Sequence, residues 1–257
     1  MRKKAIIYGA TVTAAAIASV LKSDCVVINN GYNCAFEVAD SYRTAKISDS
    51  AGYSHETKQF TENLKSRNIL RNGYIHPLPF AGLIALYFRL YNTRIYFSGT
   101  LEKVSCSSEK ADVTFFTNGE KISVSADIFI DTTDYGRFDR FLCAALVPNC
   151  PNPAAHRFSD MIKRGAFDDE YYLQVNSNNC KTYSEAFMNL QKFWVENHKD
   201  AFSDFSVVSV ANELMTVYEK PVFEKQNNII HIPSASFGTP ADSFEGGLQC
   251  LRNIQLH

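Results

Sequence analysis

Gly9, Thr11 and Ala14 have the spacing of a turn that holds a phosphate group between a strand and a helix. In the pattern G-x-G-x-x-G, the first glycine makes the tight turn and the second lets the main chain approach a pyrophosphate. The third glycine packs the helix against the strand. Gly9 keeps the turn and Ala14 is an accepted substitute, but Thr11 places a branched side chain where the phosphate should approach.

The elements around these positions are those of a nucleotide-binding unit. An apolar strand is predicted for residues 5–8, an Ala-rich helix follows to Leu21, and a second apolar strand spans residues 25–28. In such units an acidic residue at the end of the second strand holds the ribose hydroxyls. This chain has Asn29 there. The sequence therefore predicts a βαβ start and leaves its ligand open.

The middle of the chain alternates between helix and hairpin signals. Pro79 is typical of the first turn of a helix, where a missing N–H is harmless. Asn118 and Gly119, flanked by alternating apolar residues, predict a type I′ hairpin turn. The predicted helices are 56–68 and 78–91, and the predicted strands are 94–97, 100–105, 112–116, 121–124 and a buried one at 127–131.

Composition shifts at Pro148, where a short stretch contains three prolines and two asparagines. Such a stretch is typical of a crossing between structural units. We therefore predict one discontinuous unit, residues 1–147 with 222–257, and a small substrate or partner subdomain, residues 148–221. The later predicted elements are helices at 183–197 and 244–254 and strands at 205–210 and 229–232.

Charge and cysteine content exclude several classes of protein. The 257 residues have a formal net charge of -1 and a pI near 6.6, which gives no electrostatic case for nucleic-acid or membrane partners. Seven cysteines without a C-x-x-C pair and six scattered histidines argue against a disulfide framework and a metal site.

We expect a cytoplasmic protein. The alternative is a secretory signal, because basic residues at 1–4 precede an apolar run to Leu21.

Three separated segments resemble the FAD-dependent oxidoreductases of the glutathione-reductase-like type. They are the strand, turn and helix at 4–21, the segment A-D-I-F-I-D-T-T-D-Y-G-R-F-D at 126–139, and the segment F-G-T-P-A-D-S-F-E-G-G-L-Q-C-L at 237–251. The resemblance implies an α/β fold. Its arrangement is the Rossmann-like three-layer FAD-binding one, with a parallel sheet, helices, a crossover β-hairpin sheet and a small inserted subdomain.

The resemblance also implies a set of FAD contacts. In that family the strand that ends near Asp131 and Thr133 approaches the nucleotide part of FAD. The C-terminal helix points its N-terminus at the flavin ring, where paired glycines let the main chain come close. The implied cofactor-binding residues are Gly9, Ala10, Thr11, Ala14, Asn29, Asp131, Thr133, Gly136, Gly246 and Gly247.

The chain departs from the family pattern at three positions where FAD should touch the protein. Thr11 replaces a glycine, Asn29 replaces an acidic residue, and Asp134 replaces the glycine after Thr133. A carboxylate at Asp134 would repel a pyrophosphate unless it faces elsewhere. No residue is assigned a catalytic role.

The other reactive side chains are single residues, for which a packing role competes with a chemical one. Cys34, which follows the second strand, and Cys143 are candidate redox thiols, but isolated cysteines are more often buried packing residues. His76 and His231 are candidate proton donors, or histidines satisfied within a turn and a strand.

Two functions of different classes follow from these residues. The first is a FAD-dependent oxidoreductase that acts on a small, mostly uncharged metabolite and could need a partner subunit. The second is a non-catalytic subunit that keeps the flavoprotein fold, has lost FAD binding and associates with an active, homologous flavoenzyme. The first is the leading hypothesis. Thr11, Asn29 and Asp134 motivate the second, because each removes or opposes a polar contact to the cofactor.

Overall fold

A computed structural model of the chain describes residues 4–47, 52–107, 109–151, 153 and 159–255. The helices are α1 (Val12–Leu21), α2 (His55–Ser66), α3 (Phe80–Leu90), α4 (Tyr183–Ala201) and α5 (Pro240–Gln255). The strands are β1 (Ala5–Tyr8), β2 (Cys25–Ile28), β3 (Leu70–Arg71), β4 (Tyr74–Ile75), β5 (Arg94–Tyr96), β6 (Thr100–Cys106), β7 (Ala111–Thr117), β8 (Glu120–Ala126), β9 (Ile128–Asp131), β10 (Asp139–Pro148), β11 (Ile162–Arg164), β12 (Tyr171–Asn176), β13 (Phe205–Val210), β14 (Met215–Val217), β15 (Glu224–Gln226) and β16 (Ile229–His231).

The larger sheet has six strands in the order β15-β16-β9-β1-β2-β5. Five of them are parallel, and β15 joins the edge in the antiparallel direction. Tyr8 is in register with Ile28 on one side and with Asp131 on the other. The three strands therefore end at the same carboxyl edge, which is the usual ligand site of an open α/β sheet.

The helix α1 lies against the larger sheet and is buried almost all round. Its sequence, VTAAAIASVL, is rich in alanine, which has the highest helix propensity and a small side chain. These small residues allow α5 to approach closely. A Cβ added at Gly247 would lie 2.6 Å from the carbonyl oxygen of Thr13. The two helices thus form one tightly packed layer.

The strands β6, β7 and β8 form a three-stranded antiparallel sheet that covers the other face of the larger sheet. Ile6 and Phe129 pack against Val113 and Phe115 of this smaller sheet, whereas Ile7 belongs to the core on the helix side. Successive strand residues point to opposite faces, so the larger sheet is buried on both. This arrangement confirms the predicted three-layer α/β fold.

A second antiparallel sheet has the order β11-β12-β10-β13, with β14 paired to β10. Leu142 and Leu173 of this sheet share a core with Leu190 and Phe202 of the α4 region. The first strand, β10, begins at Asp139, so the sheet includes residues that the sequence-based division assigned to the first unit. The domain boundary itself stays a prediction.

Most elements near the carboxyl edge agree with the sequence-based prediction. Positive φ angles of 49° at Asn118 and 80° at Gly119 agree with a type I′ turn. The strand β10 is absent from the prediction, because the apolar run at 141–148 within it fits a strand or a buried helix equally. The helix α5 begins at Pro240 instead of residue 244. Among the described residues, no helix is both long and apolar enough to span a membrane.

Candidate functional site

A carboxylate from the chain itself lies at the N-terminus of α1, where the sequence predicts a pyrophosphate. Val12 N–H donates to Glu37 Oε1 at 2.9 Å. Ser234 Oγ donates to the same oxygen at 2.8 Å and accepts from Thr13 N–H at 3.3 Å. A helix N-terminus favours an anion because of its free N–H groups and its dipole. Glu37 supplies that anion.

The Glu37 carboxyl group is buried, and its charge is countered at a distance by Arg43. Burial raises the pKa of Glu37, and the Val12 and Ser234 hydrogen bonds together with the Arg43 charge act against this rise. Oε2 has no hydrogen-bond partner among the described residues. The Arg43 guanidinium donates instead to the carbonyl oxygens of Ala235 at 2.9 Å and Phe237 at 2.6 Å.

Thr11 turns inward and caps α1. Its Oγ1 accepts from Ala14 N–H at 3.1 Å and donates to Thr132 Oγ1 at 2.9 Å. Thr132 in turn donates to the carbonyl oxygen of Tyr8. A Cβ added at Gly9, where φ is +92°, would lie 2.8 Å from Thr132 Oγ1. The turn glycine is therefore required by packing against this threonine as well as by its backbone angle.

Asn29 closes the loop that follows β2. Its Oδ1 accepts from Ala10 N–H at 3.0 Å, and its Nδ2 donates to the carbonyl oxygens of Gly31 at 3.1 Å and Asn33 at 3.0 Å. The side chain is buried and its hydrogen-bonding groups are used within the protein. Ribose hydroxyls at this position would have to displace these bonds.

Asp131, Thr133 and Gly136 shape the turn after β9. Asp131 Oδ1 accepts from Thr133 N–H at 2.9 Å and from Thr133 Oγ1 at 2.7 Å. Gly136 has a φ of +83°, and a Cβ added there would meet nothing within 4 Å. The structure gives these residues a role in the loop, and their predicted contact with a nucleotide stays a prediction.

Asp134 faces the second sheet. It accepts a hydrogen bond from Thr216 Oγ1 at 2.9 Å. Burial raises its pKa, and Thr216, Arg43 and Tyr218 oppose that rise. The carboxylate therefore does not point at the N-terminus of α1.

Gly246 and Gly247 lie inside α5 and serve close packing. A Cβ at Gly246 would lie 2.2 Å from the Phe237 ring, and a Cβ at Gly247 would lie 2.8 Å from Ala16 Cβ. Neither glycine lies at the helix N-terminus, because α5 begins several residues earlier.

The N-terminus of α5 also carries an acidic group from the chain. Thr239 Oγ1 accepts from Asp242 N–H at 3.1 Å, which caps the helix, and donates to Asp242 Oδ2 at 2.7 Å. Tyr53 OH donates to the other carboxylate oxygen of Asp242 at 2.5 Å. The sequence T-P-A-D, with proline in the first turn, is the signal for this helix start that the prediction missed.

Two cavities flank the loop after β2. The edge crevice, about 600 Å³, lies at the carboxyl edge and is lined by Tyr8, Asn29, Thr133 and three acidic residues. The acidic residues are Asp40, Asp134 and Glu213. Burial raises the pKa of each of them. Among the described residues that line the crevice, none is lysine or arginine.

The inter-sheet cavity, about 370 Å³, lies between the loop before α5 and the second sheet. Four cationic side chains line it, and no described lining residue carries a carboxylate. Apolar side chains complete its wall. The cations are Arg43, Lys46, Lys163 and Arg164.

Both candidate thiols are inert by burial. Burial raises the pKa of Cys34 to about 12, and Glu37 adds to this rise. Burial also raises the pKa of Cys143 to about 12, although Arg43 opposes it. Such thiols are not thiolates at neutral pH. Within the described residues, no group of three or more His, Cys, Asp or Glu side chains is placed to hold a metal ion.

The two candidate histidines lie outside both cavity walls. His76 Nδ1 is 2.5 Å from Glu170 Oε1 and joins the segment before α3 to the loop before β12. His231 Nδ1 is 3.5 Å from Asp131 Oδ2, and its ring stacks on Tyr135 with centroids 3.9 Å apart. His76 is thus bonded within the fold, whereas His231 Nδ1 is buried and has no hydrogen-bond partner among the described residues.

The residues at the carboxyl edge do not fit the diphosphate of FAD. The α1 N–H groups that would hold it donate to Glu37 and other side chains of the chain, and the adjoining crevice is acidic. A diphosphate in contact with Glu37 would place like charges together in a buried environment. Sequence reasoning missed Glu37. The apolar residues around it, in the segment C-A-F-E-V-A at 34–39, indicate a buried charge.

The fold is shared with solved flavin enzymes, although no protein-family model and no curated protein match the sequence. p-Nitrophenol 4-monooxygenase PnpA from Pseudomonas putida has a TM-score of 0.62 at 11% identity, over 98% of this chain and 78% of its own. A geranylgeranyl bacteriochlorophyll reductase-like protein from Thermoplasma acidophilum has a TM-score of 0.61 at 12% identity, over 97% and 77%. CmlS, a flavin-dependent halogenase, has a TM-score of 0.58 at 12% identity.

At these identities the likeness shows the fold alone. The chain has the Rossmann-type fold of FAD-dependent monooxygenases, halogenases and reductases. The glutathione-reductase-like branch stays a prediction. The chain spans 56% of the length of the halogenase. The activities of these proteins are therefore not transferred with the fold.

Proposed function

We propose that this chain uses the flavoprotein fold to bind a small organic molecule in the inter-sheet cavity, without FAD at the N-terminus of α1. One observation carries the proposal. The carboxylate of Glu37 lies where the diphosphate would lie, bonded to Val12 N–H at 2.9 Å. The inter-sheet cavity, in contrast, is open and has a mixed polar and apolar wall.

A titration of the purified protein with FAD tests this function directly. We expect no change in flavin absorbance or fluorescence and no flavin retained after gel filtration. The physical reason is that FAD binding requires the Glu37 carboxylate to leave its hydrogen-bond partners and deprives Arg43 of one of its two counter-charges. Stoichiometric FAD in the purified protein would overturn the proposal.

Two variants test which side chains prevent FAD from binding at the N-terminus of α1. Thr11→Gly, Asn29→Glu and Glu37→Ala combined in one variant remove the groups that occupy the α1 terminus, and gain of FAD by this variant supports the assignment. Asp134→Gly alone is the control, because Asp134 faces Thr216 and not α1. Circular dichroism establishes that each variant is folded before it is titrated.

The second candidate is the FAD-dependent oxidoreductase that the sequence predicts, acting on a small metabolite. The observation in its favour is the fold, together with the position of Phe237 and Gly238, which precede α5 and line the inter-sheet cavity. For this function the segment 34–43 has to move and carry Glu37 away from Val12. The FAD titration separates the two candidates.

A partner subunit is a further prediction from the sequence. An active, homologous flavoenzyme is the expected partner, since this chain has the fold of such enzymes and carries Glu37 at the N-terminus of α1. Co-purification of a yellow second chain supports it. A protein that stays a single species in mixtures with such an enzyme argues against it.

A further inference from the structure

We propose that the inter-sheet cavity binds a small organic carboxylate with an aromatic or short apolar body. This ligand class belongs to the cavity named in the proposed function and rests on it. The sequence-based prediction was a mostly uncharged metabolite in a pocket lined by residues 154–221. The structure adds Arg43 and Lys46 to the cavity from outside that range.

The charge of the cavity is the first support. Arg43 is only 8% exposed, and two of the five N–H donors of its guanidinium are used by carbonyl oxygens. No ion pair to Lys46 or Lys163 is formed within the described part of the chain. Arg164 is paired with Asp168, which is largely exposed. Glu37 and Asp134 partly compensate the charge of Arg43. The unpaired positive charge that a carboxylate would meet in the cavity therefore comes mainly from Lys46 and Lys163.

A buried arginine that is held in place distinguishes this cavity from a patch of surface lysines. The Arg43 side chain is fixed by its bonds to Ala235 and Phe237, so its remaining donors have a set direction. Arginine presents a planar fork of N–H groups that matches the two oxygens of a carboxylate. Lys46 and Lys163 are exposed and add charge at longer range.

The apolar lining of the cavity and its volume determine the body of the ligand that fits. Met215, Val217 and Phe237 give the cavity an apolar part of its lining, and Tyr74 and Tyr218 add aromatic surface. A volume of about 370 Å³ lies at the lower end of the range for small-molecule sites. A single ring or a short chain bearing one carboxylate fits both the volume and the chemistry.

Three probes of nearly equal shape and different charge test the assignment on the full chain. They are benzoate, benzamide and benzamidine, titrated by calorimetry or by ligand-observed NMR at low salt. We expect benzoate to bind with a Kd below about 10 mM, at least about fivefold tighter than benzamide, and benzamidine not to bind. Added salt should weaken benzoate binding, because the outer charges are partly exposed.

Variants at the exposed cations avoid disturbing the fold. Lys46→Gln with Lys163→Gln should weaken benzoate binding about tenfold, through the loss of two attractive charges. Lys103→Gln is the matched control, since Lys103 is an exposed residue of β6 outside the cavity wall. Its benzoate affinity should equal that of the unchanged protein.

Several outcomes overturn the ligand class. They are benzamide binding as tightly as benzoate, benzoate failing to bind, or a folded double variant that keeps full affinity. FAD uptake by the same preparation overturns the proposed function instead. It is measured separately, so the two failures are distinguishable.

Discussion

The edge crevice and the inter-sheet cavity are lined by parts of the same segment, residues 29–46, and carry opposite charge. The crevice takes Asp40 from this segment, whereas the cavity takes Arg43 and Lys46. In a dinucleotide-binding protein, the groups that attract anions are needed at the carboxyl edge of the sheet. Here the edge holds carboxylates, and the cations lie between the sheets.

A fold can thus keep its backbone while the charges at its usual ligand site are changed. The N-terminus of α1 keeps the turn glycine and the helix dipole. Its Val12 N–H, however, is already bonded to Glu37 of the same chain. The chain's own carboxylate thus takes the role of the phosphate in stabilising the helix. The inter-sheet cavity, in contrast, is lined by cations and by no described carboxylate.

Removal of Glu37 should have the largest effect on stability. Glu37→Ala leaves the Val12 N–H and the Ser234 hydroxyl without their acceptor and deprives buried Arg43 of a counter-charge. We expect the free energy of unfolding to fall by about 2–4 kcal/mol, measured by urea denaturation. Glu196→Ala, at an exposed position of α4, should change it by less than about 0.5 kcal/mol. An unchanged midpoint for Glu37→Ala would show that the α1 terminus is not closed this way.

A smaller loss of stability should follow from a substitution that pushes α5 away from α1. Gly247→Ala places a Cβ 2.6 Å from the Thr13 carbonyl oxygen, so α5 must shift away from α1. We expect a loss of about 1–3 kcal/mol in thermal or chemical unfolding. Gly82→Ala is the control, since its added Cβ meets nothing within 4 Å and alanine favours helix. Equal effects at the two glycines would contradict the close helix contact.

Glu37 and Glu170 should contribute to the pH dependence of stability with opposite sign, because their pKa values shift in opposite directions. Burial acts to raise the pKa of Glu170, but hydrogen bonds from His76 and Tyr172 outweigh it and hold the pKa below its usual value. Its contribution is therefore present above pH 4.5 and lost as the pH falls through the lowered folded pKa. The raised pKa of Glu37 has the opposite sign, with stability lost as the pH rises through it.

The substitution Glu170→Gln isolates the contribution of Glu170 to the loss of stability at acid pH. We expect it to lower the free energy of unfolding at neutral pH by about 1–3 kcal/mol, since hydrogen bonds to a charged acceptor are lost. The difference from the unchanged protein should shrink as the pH falls below 4.5. Urea denaturation at several pH values measures it. A difference that stays constant down to acid pH would contradict the lowered pKa.

The smallest expected effect concerns the thiols beside the two regions. Cys34 lies near Glu37 and Cys143 lies near Arg43, yet burial raises the pKa of both to about 12. Neither should react with a thiol reagent in the native protein at pH 8, whereas the partly exposed Cys150 and Cys180 should. Mass spectrometry of the labelled peptides reads this out. Rapid labelling of Cys143 alone would mean that the Arg43 charge outweighs burial.

Local patterns in the sequence were sufficient for the elements around the carboxyl edge. The apolar runs at β1 and β2, the alanines of α1 and the Asn118-Gly119 turn each act within a few residues, so their meaning can be read from spacing alone. The strand β10 could not be read, since its apolar run acquires a strand partner only from β12, β13 and β14, far along the chain.

The candidate site depended on contacts between distant segments. The sequence by itself determined that Thr11, Asn29 and Asp134 depart from a phosphate-binding pattern. Only the tertiary structure decided where they face and what replaces the phosphate, because Glu37 and Ser234 are brought to Val12 and Thr13 across long stretches of chain. Spacing along a chain fixes which groups share one helix or strand. It does not fix which charge is buried opposite them, since that depends on how the sheet edge, the loop after β2 and the segment before α5 close on one another.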